Sequence, residues 1–223
     1  MIPLYHDFRG ATVLVFGGGS VGSRKARRFV REARVVVISP TFDDRFDEPE
    51  LADVERIRAA PEPADVDEWV DRFEPALVVA ATDNAALNAA VDTAASERGL
   101  LINRTDESGG RDARSVVVPA TVRDEPVSVA ISTGGKSPAL SRYLRQQIEA
   151  EIEDAGAMAE LTGELRSELK ASQYSAADRR AAVRSVVRSS AVWKALHTGT
   201  TNPQKEAERV MAAEHDDMDG ESR

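Results

Sequence analysis

At 223 residues the chain is long enough for one large or two small domains. It has no cysteine, which excludes disulfides, thiolate metal sites and cysteine nucleophiles and fits a reducing cytoplasm. A net charge of −9 argues against nucleic acid or an anionic membrane as a general partner. No apolar run approaches the roughly 18 residues that span a bilayer, and the start, Met-Ile-Pro-Leu-Tyr-His-Asp, lacks the form of a signal peptide. A soluble cytoplasmic protein is expected. Basic residues are 24 Arg against 5 Lys; with many acids this suits either a high-salt cytoplasm or a GC-rich genome.

Thr12–Phe16 reads as an apolar strand that runs into Gly17-Gly-Gly-Ser-Val-Gly22. A helix follows over Ser20–Ala33, with Val21, Ala26, Phe29 and Val30 inward and Arg24, Lys25, Arg27 and Arg28 outward. Arg34–Ser39 is a second strand, closed by Pro40. The polar stretch from Thr41 to Glu62 holds a short strand at Glu55–Arg58, and Asp65–Phe73 forms a helix. Leu77–Ala81 is continuously apolar, as in a strand buried on both faces. Thr82 and Asp83 are expected to cap the helix from Asn84 to Arg98, and Leu100–Ile102 is a further buried strand. Alternating strands and helices predict an α/β fold with a Rossmann-like, doubly wound parallel sheet over residues 1–112. Ser115–Pro119 and Pro126–Ser132 then read as an antiparallel pair, within a small β region at 113–145. Helices at Pro138–Asp154, Ala157–Ala171 and Ser175–Ser189 predict a helical domain at 146–200. Residues 201–223 form an acidic tail expected to be disordered.

The glycine turn predicts a ligand as well as a fold. In a strand–turn–helix setting, Gly17 permits the tight turn and Gly19 lets the backbone approach a pyrophosphate. Gly22 lets the helix pack on the strand, and the amides at Gly18, Ser20 and Val21 face the phosphates. Ser39, Pro40, Thr82 and Asp83, at the carboxyl ends of strands, join them as cofactor contacts. No acid stands at the end of the second strand, where Ser39 and Pro40 sit; Asp43, Asp44 and Arg45 follow. The balance favours NAD over NADP. Ser132-Thr-Gly-Gly-Lys-Ser137 is a second anion-friendly loop, with Lys136, Ser137 and free amides facing a carboxylate-rich substrate. Its adjoining glycines do not fit a P-loop. Asn103 and Asp106 follow the last strand of the sheet, where Asp106 is placed to act as a general base or to bind a metal ion; as a lone loop Asp its plainer reading is a turn or cap residue. His6, His197 and His215 have no metal-ligand spacing, so no protein-bound metal is expected.

These stretches together resemble the precorrin-2 dehydrogenase/sirohydrochlorin ferrochelatase family, the N-terminal module of siroheme synthases. The likeness lies in Ile2-Pro-Leu4 with Asp7, the glycine turn with Arg24-Lys-Ala26, and Ala80-Ala-Thr-Asp83 with Leu87-Asn88. It continues in Ile102-Asn103 with Asp106, and in Val129 to Leu140. The resemblance implies that precorrin-2 is oxidised to sirohydrochlorin with NAD, and it leaves ferrous-iron chelation open as a second activity. It places the catalytic aspartate on Asp106. Substrate contacts fall on Asn103, Ser132, Thr133, Gly134, Gly135, Lys136 and Ser137. It also implies a homodimer with exchanged middle strands and C-terminal helices. The link after Asp106 departs from the family pattern; Arg111 and Arg114 there are substrate contacts or ordinary loop charges. Other readings are a chelatase that uses the Rossmann unit as scaffold, and a dinucleotide-sensing module without catalysis.

Overall fold

The computed structural model describes residues 2–106, 114–172 and 174–221, with side chains described as far as residue 214. Two compact units appear, Met1–Val118 and Pro119–Arg223.

The first unit is a five-stranded sheet. Its strands are β1 (Thr12–Phe16), β2 (Arg34–Ser39), β3 (Glu55–Arg58), β4 (Leu77–Ala80) and β5 (Leu101–Arg104). They lie in the order β3-β2-β1-β4-β5, and every pair is parallel. The period-2 alternation of side chains splits the central strands between two cores. Leu14, Phe16, Val36, Ile38, Val78, Ala80 and Ile102 face α2 (Val66–Phe73) and α3 (Ala85–Glu97). Val13, Val15, Val35, Val37, Leu77 and Val79 face α1 (Ser20–Phe29) and the short turns that carry Phe46 and Leu51. Such runs of Val, Leu and Ile are what a sheet covered on both faces requires. Strand order reverses between β1 and β4, so the crevice at their carboxyl ends is the switch point where ligands gather in open α/β sheets.

Several boundaries differ from the expectation, among them the end of α1, at Phe29 instead of Ala33, and that of β5, at Arg104 instead of Ile102. Ser115 pairs in parallel with Ile102, and the Val116 amide donates to the Ile102 carbonyl at 2.8 Å. Val116 and Val118 pack on the α1-side core, so this stretch belongs to the first sheet and not to the hairpin. The first unit therefore ends at Val118 instead of residue 112. The cap of α3 is also different. Asn84, not Thr82 or Asp83, accepts from the amides of Ala86 and Leu87.

The second unit begins with an antiparallel hairpin, β6 (Ala120–Asp124) and β7 (Val127–Ile131). α4 (Pro138–Glu151), α5 (Ala155–Lys170), α6 (Ala176–Arg188), α7 (Ser190–Thr198) and α8 (Pro203–Glu221) follow. α8 occupies the segment expected to be disordered. Ala207 on it is fully buried, and Val210 and Met211 join a core of Met158, Leu161, Leu165, Val186 and Val192. The apolar positions 207, 210 and 211 share one helical face, which the acidic composition masks in the sequence. The hairpin is tied to α5 by Asp124, whose carboxylate accepts from the Gly156 amide at 2.8 Å.

Two glycine substitutions separate contact from propensity. A Cβ at Gly22 would fall inside contact distance of the Gly17 carbonyl, a backbone atom that cannot yield. Gly163 lies in α5 with open space around it. In urea titrations of the full chain, Gly22→Ala is expected to cost at least about 2 kcal/mol. Gly163→Ala is expected to gain about 0.5–1 kcal/mol.

Candidate active site

The glycine turn joins β1 to α1 at the switch point. Its glycines answer different demands. Gly17 has φ +113°, and a Cβ there would strike the Ala81 carbonyl beyond β4. A Cβ at Gly18 would meet the Thr41 carbonyl and approach the Ser39 Cβ to 2.8 Å; the Gly18 carbonyl accepts from the Asp43 amide at 2.8 Å. Gly22 lies against Gly17. Gly19 differs: it is exposed, its φ of −77° suits any residue, and a Cβ on it would meet nothing within 4 Å. The fold therefore makes no demand for glycine at 19. The open space in front of Gly19 is what an approaching pyrophosphate needs, so the residues present fit a dinucleotide.

The other expected cofactor contacts surround this turn. Ser20 is exposed at the first position of α1, and Val21 is half-buried. Ser39 is buried and Pro40 exposed at the end of β2. Thr82 follows β4 and is held by Asn88, which sequence reasoning did not place in the site. The Asn88 side chain is buried, and its Nδ2 donates to the Thr82 carbonyl at 3.0 Å. Its Oδ1 accepts from the Thr82 amide at 3.2 Å and from the Thr82 hydroxyl at 2.7 Å. Thr82 is thus fixed by its neighbours, while Asp83 is exposed.

Asp106 lies just past β5. The Arg104 guanidinium binds both its carboxylate oxygens, at 3.2 and 2.8 Å, and also reaches Asp92 on α3 at 3.4 Å. The Arg104 side chain is only 16% exposed and Asp106 27%, so this pair is better shielded than most surface ion pairs. The Arg104 hydrogen bond holds the Asp106 carboxyl below the usual carboxylate range, with help from Asn88 and a backbone amide, against partial burial. Alternation along a strand puts residues two apart on one face, and that spacing is the sequence signal that could have paired Arg104 with Asp106.

Asn103 is buried. Its Nδ2 donates to the Val116 carbonyl at 2.6 Å, and its Oδ1 has no partner among the described residues. It links β5 to the segment at 114–116. Arg111 lies outside the described residues; the Arg114 guanidinium lies against Gly99 and the Ser96 carbonyl of α3, the position of a loop charge.

In the second unit, Ser132–Ser137 forms a compact turn, with Gly134 and Gly135 at φ +64° and +81°. The free amides expected there are largely spent inside it. The Gly134 amide donates to the Ser132 hydroxyl, Lys136 to the Thr133 carbonyl and Ser137 to the Thr133 hydroxyl. Thr133 also donates to the Ser137 carbonyl at 3.1 Å, and the Ser137 hydroxyl caps α4 by accepting from Leu140. The exposed Lys136 side chain makes no ion pair among the described residues. His197 is paired with Asp154 at 3.0 Å. Among the described residues no group of three or more His, Cys, Asp or Glu side chains is placed to hold a metal ion, and no helix is long and apolar enough to cross a membrane.

Comparison with known proteins gives the same partition. Residues 4–120 match a family described as putative NAD(P)-binding, and residues 124–151 match the central region of sirohaem biosynthesis proteins. The chain is 33% identical over 228 residues to siroheme synthase 1 of Aeromonas salmonicida (strain A449), covering 99% of this chain but 46% of that protein. The chain thus spans about half the length of that relative. It is 34% identical over 214 residues to the precorrin-2 dehydrogenase of Methanosarcina barkeri (strain Fusaro / DSM 804), covering 95% of this chain and 92% of that one. The solved structure of SirC, precorrin-2 dehydrogenase, superimposes with a TM-score of 0.69 at 21% identity, over 96% of this chain and 100% of that one, which establishes the shared fold. With the NAD(P)-binding match over more than half of its residues and a relative matched along nearly its whole length, the chain belongs to the precorrin-2 dehydrogenase family of NAD(P)-binding proteins.

Proposed function

We propose that the protein oxidises precorrin-2 to sirohydrochlorin in the cytoplasm, passing a hydride to NAD bound over the glycine turn. The observation that carries the cofactor half is Gly19, a glycine in open space for which the fold has no use. When bound, NAD supplies the hydride acceptor. Loss of a hydride leaves positive charge on the macrocycle, and a proton must then depart for the atoms and charges to balance. Asp106 is the group we assign to that step. Its carboxyl is held low by Arg104, so at neutral pH it is a fixed negative charge. A good general base has its pKa near the working pH. Asp106 therefore serves chiefly by stabilising developing positive charge and secondarily by receiving the proton. Asn103 supports it by fixing the segment at 114–116 against β5. Lys136 is assigned to substrate carboxylates, on its charge and exposure.

The test is anaerobic turnover of precorrin-2 with NAD, followed by NADH formation and the absorbance of the product. Asp106→Asn keeps the shape and removes the charge; kcat is expected to fall by about 10²–10³-fold, with NAD affinity retained. The sign of the pH effect follows from the lowered carboxyl. Asp106 stays ionised down through the ordinary carboxylate range near about 3.9, so wild-type kcat shows no acid limb from it above about pH 5. Arg104→Met removes the cation and leaves the burial, so an acid limb is expected to move up into the measurable range. No NADH formation would overturn the dehydrogenase reading, and unchanged kcat in Asp106→Asn would remove Asp106 from its role.

We further propose that the active form is a homodimer joined through the second unit. α4 buries none of its residues, and its Leu140 and Tyr143 side chains are 46% and 57% exposed. A two-stranded ribbon such as β6–β7 is marginal without further cover. Light scattering is expected to report a dimer, and Leu140→Glu with Tyr143→Asp is expected to give a monomer. A wild-type monomer at micromolar concentration would refute this.

A further inference from the structure

α3 carries two polar side chains one turn apart, Asn88 and Asp92, and they serve the ends of two different strands. Asp92 takes the Arg104 guanidinium at 3.4 Å, and Arg104 in turn holds Asp106 past β5. Asn88 is buried and reaches the loop after β4. Its side-chain amide has two lone pairs and two N–H groups to place. Both lone pairs go to Thr82, to its amide at 3.2 Å and its hydroxyl at 2.7 Å, and one N–H goes to the Thr82 carbonyl at 3.0 Å. These bonds fix which end of the Asn88 amide is nitrogen, because the Thr82 N–H can only donate and its carbonyl can only accept. The second N–H is left for the Asp106 carboxylate. That carboxyl is lowered first by Arg104 and further by its hydrogen bond from Asn88, against partial burial.

The ends of β4 and β5 are also tied to each other directly. The Thr105 amide and hydroxyl both donate to the Ala80 carbonyl at 3.1 Å. The residue before Asp106 is thus pinned to β4 two residues ahead of Thr82. Thr82 stands on the cofactor rim and Asp106 on the reacting side, so one buried amide is shared between the two halves of the site. Few residue types can do this. Asp at 88 would turn an oxygen toward the Thr82 carbonyl and the Asp106 carboxylate, and Ala or Leu would leave the Thr82 amide and carbonyl without their partner.

Resting on the assignment of Asp106 to the oxidation of precorrin-2, we propose that Asn88 is a positioning residue for that reaction, whose one buried amide holds the Thr82 loop for the cofactor and orients Asp106 for the substrate. The two halves of the site are then not independent. A single substitution on the helix behind them lowers kcat through Asp106 and NAD affinity through Thr82.

A double-mutant cycle on the full chain tests it, with kcat read from anaerobic turnover of precorrin-2 with NAD and NAD affinity from isothermal titration. Asn88→Ala is expected to lower kcat about tenfold in the wild-type background, the loss of one charge-assisted hydrogen bond. In the Asp106→Asn background, where no carboxylate is left to orient, the same change is expected to cost less than about twofold of the residual kcat. NAD affinity is expected to fall about threefold in both backgrounds, because Thr82 is released in each. Asn88→Ser, which is expected to give the same pattern, serves if Asn88→Ala does not fold. Equal loss of kcat in both backgrounds would overturn the proposal by making Asn88 a support of the fold alone, and it would leave the dehydrogenase reading intact. Unchanged NAD affinity would overturn it as well, by cutting the link to the cofactor half. A wild type that forms no NADH would overturn the dehydrogenase reading and the proposal with it.

Discussion

The first unit depends on one close approach of backbone to backbone. At the carboxyl end of β1 the chain must turn, pass the loop beyond β4, and start a helix that rests on the turn itself. Side chains at Gly17, Gly18 or Gly22 would collide with the Ala81, Thr41 or Gly17 carbonyls respectively. Interiors packed at native density have little room to absorb such collisions. The contact draws β1, β4 and the segment after β2 together at the switch point of the sheet. The site therefore comes from the same constraint as the fold.

Once that junction is closed, polar side chains organise its rim. Asn88, buried on α3, satisfies both backbone groups of Thr82 and its hydroxyl, so the loop after β4 has one arrangement. The same asparagine contributes to lowering the Asp106 carboxyl. Arg104 joins Asp92 of α3 to Asp106, anchoring the end of β5 to the helix. These bonds hold the Asp106 carboxylate in one place at the end of the sheet.

Much of this was legible in the sequence, for definite reasons. Apolar runs bounded by turn residues located β1 and β2 to the residue, because strands covered on both faces leave no choice of composition. The glycine turn stood out because no larger residue fits at Gly17, Gly18 or Gly22. What was missed depends on tertiary contact. Ser115–Val118 has the composition of a hairpin strand, yet it extends the first sheet because Asn103 and Ile102 hold it there. α8 was hidden by acidic residues around a narrow apolar stripe. The amides of the Ser132–Ser137 loop look free in a string of small residues, but Thr133 closes the loop on itself. The Asn88 and Arg104 contacts are side-chain matters that no local pattern announces, beyond the two-residue spacing of Arg104 and Asp106.

The central claim is that the glycine turn serves two masters, the fold at Gly17, Gly18 and Gly22 and a dinucleotide at Gly19. The most direct measurement is the thermal midpoint of Gly19→Asp together with its affinity for NAD. The midpoint is expected within about 2 °C of the wild type or above it, since Gly19 is the N-cap of α1, where Asp serves at least as well as Gly, and a Cβ there meets nothing within 4 Å. NAD affinity is expected to fall at least about tenfold, because the carboxylate stands where the pyrophosphate approaches. A Gly19→Asp protein that binds NAD as tightly as the wild type would contradict the reading of the turn as a dinucleotide site.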